Sequence, residues 1–194
     1  MQRVLVLIVM LSIIGGLFKI LGGIIYGSKS LFVDAMTSIA NTFAIIVTVY
    51  FFRISFIPPD KDHPYGHYRL ALGGPITTIA AYSFVFGIAL MDLIETAGRS
   101  YTVSIYAPIM AVLGFVVYAI AIALAKKMGG VFTTYARFTV SELIESSTTI
   151  ATSLAGALLS YLVDFAGAIA LLAYLFKELV GNTREVIAHI SDFA

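Results

Sequence analysis

Two runs of oxygen-bearing side chains lie inside otherwise apolar segments of this chain. They are Asp34, Thr37, Ser38, Asn41 and Thr42 in the first segment, and Glu142, Glu145, Ser146 and Thr149 in the second. Spacings of three, four and seven residues place most members of each run on one face of a helix. The two runs therefore predict two helices that present oxygen-rich stripes with three carboxylates between them.

Polar residues inside membrane helices have simpler explanations, which the sequence leaves open. Serine, threonine and asparagine often form hydrogen bonds that pack one helix on another. Glu142 and Glu145 would need no partner if they lay at the cytoplasmic end of their helix and reached water. Lys19, which is flanked by Gly15, Gly16, Gly22 and Gly23, either extends to the outer interface or pairs with a carboxylate.

A short polar segment holds two of the three histidines. It reads Asp60, Lys61, Asp62, His63, Pro64, Tyr65, Gly66, His67. Imidazole nitrogen and carboxylate oxygen together suit a borderline divalent cation such as Zn²⁺. The sequence predicts a metal site at Asp60, His63 and His67, and a loop that is merely polar is the alternative.

The composition excludes a soluble domain. Of 194 residues, 60% are hydrophobic and only 12% are charged, and the mean hydropathy is +0.98. These values indicate an integral membrane protein. A formal net charge of +1 offers no basic surface for nucleic acid, and the lack of cysteine excludes disulfides and thiolate metal sites. Nothing in the pattern predicts an enzyme.

Apolar runs of about 20 residues, the length that crosses a bilayer, predict an all-α membrane protein with six transmembrane helices. The predicted spans are Val4–Tyr26, Leu31–Phe52, Leu70–Thr96, Ile105–Ala125, Thr139–Leu162 and Phe165–Val180. Lysine and arginine concentrate in the segments that share a side with the N-terminus, so both termini are expected in the cytoplasm of a cell-membrane protein. We expect residues 1–194 to form a single transmembrane domain, with a short helix-like segment Arg184–Ile190 and no C-terminal cytoplasmic domain.

Three features together resemble a known family. Lys19, the sequence GSKSLFVD from Gly27 to Asp34, and above all DKDHPYGHYR from Asp60 to Arg69 are similar to the cation diffusion facilitators. The resemblance implies a homodimer in the lipid bilayer that exports divalent metal ions in exchange for protons. Relatives usually continue into a cytoplasmic metal-binding domain.

The resemblance also implies a transport site made of two residues four apart on the second helix and two four apart on the fifth. The second-helix positions fall on Thr37 and Asn41. The fifth-helix positions fall on Glu145 and Thr149, with Glu142 and Ser146 as the alternative register. The aspartates and histidines usual at these positions are missing, and Asp34 would supply negative charge one turn before Thr37. The loop residues Asp60, His63 and His67 match a second metal site of some relatives.

A site with oxygen ligands alone favours harder divalent cations over Zn²⁺. The expected substrate is therefore Mn²⁺, Mg²⁺ or Fe²⁺, with Zn²⁺ less favoured, and protons are the expected counter-ions. Two other functions stay open on the sequence. One is a non-transporting or regulatory membrane partner of an active relative, and the other is an exporter of an organic cation.

Overall fold

The computed structural model describes residues 2–128 and 131–192, and within them all regular structure is helical. This confirms the predicted all-α class for the described part of the chain. The helices are α1 (Gln2–Ile20), α2 (Lys29–Ser55), α3 (Gly73–Thr96), α4 (Tyr106–Met128), α5 (Val131–Leu158) and α6 (Tyr161–Asp192). A π-helical turn, Leu21–Ile25, extends α1, and a 3-10 turn, Tyr68–Leu72, precedes α3.

Among the residues that the structure describes, four segments are by length and composition apolar enough to cross a membrane. They are Val6–Ile25, Lys29–Ser55, Tyr68–Thr96 and Tyr106–Lys127. Large apolar side chains such as Ile24, Phe84 and Ile120 lie exposed on the outer faces of these segments. A surface of this kind fits hydrocarbon and would be unfavourable in water.

The last two helices differ from the predicted spans. The fifth span was expected to reach Leu162, but α5 ends at Leu158 and α6 already begins at Tyr161. The sixth span was expected to be short, and α6 is instead a helix of 32 residues that also contains the helix-like segment predicted at Arg184–Ile190. Hydropathy marks only the apolar part of a helix, and the polar residues that follow Val180 are compatible with helical backbone.

Helix α2 occupies the centre of the bundle. It packs against α1, α3, α5 and α6, while α4 packs against α1 and α5. The main apolar core joins α2, α3 and α6 through residues that include Val33, Val85, Ala89 and Leu175. The opposite side of α2 faces α1 and α5, and this is where the polar stripes meet.

Glycine permits the close approach of α1 to its neighbours. A Cβ atom on Gly15 would lie 2.7 Å from Cε2 of Tyr118 on α4. A Cβ atom on Gly23 would lie 2.7 Å from the backbone Cα of Phe32 on α2. These contacts leave no room for a side chain, so the two glycines set how near α1 comes to α4 and α2.

Candidate functional site

The two polar stripes meet between α2 and α5, in the interior of the bundle. Five of the six predicted transport-site residues are almost fully buried there, and Asn41 is partly buried. The five are Asp34, Thr37, Glu142, Glu145 and Thr149. The interpretation in which Glu142 and Glu145 reach water at a helix end is wrong for this structure, because only 1% and 3% of their surfaces are exposed.

Lys19 of α1 lies at the centre of this polar interior. Its Nζ is 2.7 Å from Oδ1 of Asp34 and 3.0 Å from Oε2 of Glu142. It also donates a hydrogen bond of 2.9 Å to the hydroxyl of Ser38. The side chain is completely buried, so it does not extend to the interface, and the pairing with a carboxylate is the interpretation that agrees with the structure. Such a buried network is tolerated only when each charge is paired.

Glu142 connects this ammonium to a second set of polar groups. Its Oε2 accepts hydrogen bonds from Lys19 and, at 2.8 Å, from Ser38. Its Oε1 accepts a hydrogen bond from the side-chain amide of Asn41, whose carbonyl oxygen accepts one from the hydroxyl of Tyr82 on α3. Glu142 therefore uses both carboxylate oxygens and links α1, α2, α3 and α5.

Glu145, one turn further along α5, has a different environment. Among the described side chains, its Oε1 is buried and has no hydrogen-bond partner. A cavity of about 200 Å³ between α5 and α6 reaches this residue and is lined by Ile144, Glu145, Thr148, Ala170, Leu171 and Tyr174. A buried carboxylate oxygen without a donor is costly. Glu145 is thus the carboxylate of the site with a ligand position still open.

The two predicted threonines use their hydroxyl protons within their own helices. Thr37 Oγ1 donates to the carbonyl of Val33 at 3.1 Å, and Thr149 Oγ1 donates to the carbonyl of Glu145 at 2.9 Å. Each hydroxyl oxygen keeps lone pairs that can accept a cation or another donor. Ser146, the alternative position on α5, donates a weak hydrogen bond of 3.4 Å to Asp34.

Two aromatic residues of the site carry no distinguishing signal in the sequence. Tyr82 contacts Asn41 through its hydroxyl. The ring of Tyr118 lies under the ammonium of Lys19, with Nζ 4.5 Å from the ring centroid, a geometry that favours a cation over the aromatic face. Tyrosine occurs 11 times in the chain, so only the packing of the helices identifies these two.

The loop residues Asp60, His63 and His67 come together as predicted by their spacing. One ligand atom from each lies within 4.8 Å of the others. Nδ1 of His63 is 3.1 Å from Oδ1 of Asp60, and Nε2 of His67 is 3.6 Å from Oδ2. Within the described residues, Nδ1 of His67 is buried without a partner.

Asp60 is held in its ionised form by the loop itself. Its Oδ1 accepts backbone hydrogen bonds of 2.7 Å from His63 and 3.0 Å from Asp62. The hydrogen bond from the backbone of His63 is the main cause that lowers the pKa of the Asp60 carboxyl below its ordinary value. The loop therefore offers a charged oxygen and two imidazoles that can converge on one cation.

A comparison with known families now identifies the class of protein. The family model for the cation efflux transmembrane domain matches residues 5–190. This chain belongs to that family and is a multi-pass membrane protein. The predicted resemblance to the cation diffusion facilitators is thereby confirmed.

Individual relatives match parts of the chain. It is 32% identical over 98 residues to an uncharacterized transporter of Methanocaldococcus jannaschii, which covers 50% of this chain and 32% of that protein. It is 32% identical over 82 residues to the manganese efflux system protein MneS of Bacillus subtilis, and this match covers 42% of this chain and 27% of that protein. It is 33% identical over 107 residues to the cation-efflux pump FieF of Shewanella oneidensis, and this match covers 55% of this chain and 34% of that protein. The chain thus matches about a third of the length of each of these relatives.

Proposed function

We propose that this chain exports a divalent metal cation across the membrane, in exchange for protons, and that the ion binds between α2 and α5. The observation that carries the proposal is the group of three carboxylates, Asp34, Glu142 and Glu145, buried between these helices. Ionisable groups are expensive inside a membrane protein, and they usually mark an ion or proton pathway. The names of two relatives, a manganese efflux protein and a cation-efflux pump, support an ion of this class.

The proposed transport site keeps the residues expected from the sequence. Asp34, Glu142 and Glu145 supply charge, and Thr37, Asn41 and Thr149 supply neutral oxygens. Glu145 is the first ligand in this scheme, because its buried Oε1 lacks a donor in the described part of the chain and borders a cavity. Alternating access then requires that the site bind the ion more tightly when it faces the cytoplasm than when it faces outward.

The proposed topology has six spans with both termini in the cytoplasm. Arg53, Lys61 and Arg69 then lie on the cytoplasmic side together with the loop metal site, and Lys29 and Arg99 lie on the outer side. This distribution agrees with the positive-inside rule. A homodimer in the bilayer, which the resemblance to the cation diffusion facilitators implies, belongs to the same proposal.

A non-transporting partner of an active relative is the second candidate. It is favoured by one observation, namely that Asp34 and Glu142 already form ion pairs with the ammonium of Lys19. If Lys19 fills the site permanently, the buried carboxylates serve to pair with its ammonium and need not bind a metal ion. Transport by the purified chain alone distinguishes the two candidates.

The test is a flux measurement in proteoliposomes that contain only this chain. A divalent-ion screen with an imposed pH gradient should show uptake that Glu145→Gln reduces by roughly a hundredfold, because the variant removes a charged ligand. Glu95→Gln is the matched control: Glu95 lies exposed near the end of α3, and this variant should transport like the parent. Absence of flux for every ion tested, or full activity of Glu145→Gln, contradicts the proposal.

A further inference from the structure

The ammonium of Lys19 is bound as a cation in a cage of oxygens. Its three protons match three acceptors, at 2.7 Å from Asp34, 2.9 Å from Ser38 and 3.0 Å from Glu142. Two of these acceptors are carboxylates from the two helices that form the proposed transport site. The chain therefore holds one of its own positive charges where the proposed function requires a metal ion.

The walls of this cage enclose the lysine stem, and the ammonium is held by the three oxygens and by the ring of Tyr118. A Cβ atom on Gly114 of α4 would lie 3.2 Å from Cγ of Lys19, so glycine at this position makes room for the stem. The ring of Tyr118 faces Nζ from the same helix. The stem thus fits between α1 and α4, while the head group alone contacts the carboxylates of α2 and α5.

Two cations cannot share these oxygens. A divalent ion binds carboxylate oxygens at about 2.0 to 2.6 Å, and the ammonium already lies within 3.0 Å of one oxygen of each carboxylate. Positive charges at such separations repel strongly in a site of low dielectric. An ion that coordinates Asp34 and Glu142 must displace Lys19.

We propose that Lys19 is a tethered competitor of the transported ion, which weakens ion binding at Asp34 and Glu142 until its ammonium is displaced. This inference rests on the proposed function and extends it to the control of affinity. Glu142 is the residue where the two cations meet, because its Oε2 contacts Lys19 and its Oε1 faces Asn41. The ion approaches from the side of Asn41 and Glu145, and displacement of the ammonium then completes its coordination.

A purely structural role for Lys19 makes the opposite prediction for binding. If the ion pairs only hold α1 against α2 and α5, removal of the ammonium loosens the site and weakens or abolishes ion binding. If Lys19 competes, removal of the ammonium frees two carboxylates and strengthens binding. The sign of the change in affinity therefore separates the two roles.

The experiment measures Mn²⁺ binding to the purified chain by titration calorimetry. All variants carry His63→Ala and His67→Ala, so that the loop does not bind the ion. Lys19→Met should lower the apparent Kd by roughly tenfold or more, which is a change of about 1.4 kcal/mol. Lys29→Met is the matched control, because Lys29 forms an ion pair of the same length with Asp92 outside the site, and its Kd should stay at the parent value.

A second comparison keeps the test decisive if Lys19→Met folds poorly. Asp34→Asn leaves Glu142 as the partner of Lys19, and Lys19→Met with Asp34→Asn frees that glutamate while the net charge of the site stays that of the parent. The double variant should bind Mn²⁺ more tightly than Asp34→Asn alone. Equal, weaker or unmeasurable binding upon loss of the ammonium overturns the inference.

The outcome is independent of whether the chain transports. A parent chain without flux whose Mn²⁺ affinity rises with Lys19→Met overturns the proposed function and retains the competition. A parent chain with flux whose affinity falls or stays constant with Lys19→Met retains the proposed function and overturns the competition.

Discussion

The carboxylate of Asp164 accepts a hydrogen bond of 2.7 Å from the hydroxyl of Ser28, which joins the first turn of α6 to the residue that caps α2. The same oxygen accepts a hydrogen bond of 2.6 Å from Ser30. The other oxygen accepts from the backbone N–H of Lys29 at 2.7 Å and from the hydroxyl of Tyr101 at 3.0 Å. This fully buried carboxylate therefore has four donors, drawn from the start of α2 and from the loop before α4.

Asp164 and its four donors form what we call the Asp164 cluster, and Tyr101 is well suited to donate in it. Burial, together with the neighbouring charge of Asp164, raises the pKa of its hydroxyl well above the ordinary value. The hydroxyl thus remains protonated, and able to donate, at neutral pH. It also contacts the carbonyl of Tyr161 at 3.2 Å, so one side chain holds two parts of the same helix end.

We expect Asp164→Asn to destabilise the bundle by about 3 kcal/mol, because one acceptor becomes a donor that faces other donors. The measurement is denaturant unfolding of the purified protein in detergent. Asp92→Asn is the control, since the ion pair of Asp92 with Lys29 is partly exposed and pairs of that kind contribute about 0 to 1 kcal/mol. Equal losses in both variants would contradict a structural role for the Asp164 cluster.

The sequence predicted which side chains converge but not what fills the space between them. Periodicity placed Asp34 and Glu142 on facing helical stripes, because a spacing of three or four residues fixes one side of a helix. It left two positions open for Lys19, since a lysine near a helix end can reach either water or a carboxylate. Only the packing of α1 against α2 and α4, which brings Lys19 to Asp34 and Glu142, decides between them.

The Asp164 cluster was beyond the reach of sequence patterns. Its donors Ser28 and Ser30 lie 136 and 134 residues away along the chain. No local spacing connects them with α6, so their convergence depends on the tertiary arrangement. The length of α6 was missed for a different reason, namely that hydropathy falls after Val180 while the helix continues to Asp192.

The loop makes a prediction about pH. If Asp60, His63 and His67 bind a metal ion, protonation of an imidazole removes its nitrogen as a ligand. The depressed pKa of Asp60 keeps its carboxylate charged at mildly acidic pH, so the carboxylate remains a ligand there. Affinity measured by calorimetry should therefore decrease as the pH is lowered from neutral to mildly acidic values, because protons compete with the ion for the imidazoles.

Substitution tests the same loop. His63→Ala with His67→Ala should weaken binding by roughly a hundredfold, because two of three ligands are lost. Asp62→Asn is the control: this exposed neighbour contributes its backbone N–H to Asp60, and its side chain is outside the proposed ligand set. If binding changes neither with the pH nor with the double substitution, the loop is only polar and is not the metal site.

The last prediction concerns the selectivity of transport and follows from the ligands of the intramembrane site. Zn²⁺ is usually held by histidine nitrogen or cysteine sulfur in a tetrahedral shell, and the six proposed transport residues offer carboxylate, amide and hydroxyl groups alone. Mg²⁺ and Mn²⁺ accept such oxygens and retain water. Zn²⁺ still binds carboxylates, and the general affinity order places it above Mn²⁺, so we expect the preference in turnover and not in affinity. In proteoliposomes at equal free-ion concentrations, with the loop histidines replaced by alanine to remove the competing site, Mn²⁺ flux should exceed Zn²⁺ flux. If Zn²⁺ moves faster than Mn²⁺, Mg²⁺ and Fe²⁺, the oxygen ligands of this site do not set the selectivity of transport, and selectivity arises elsewhere in the bundle.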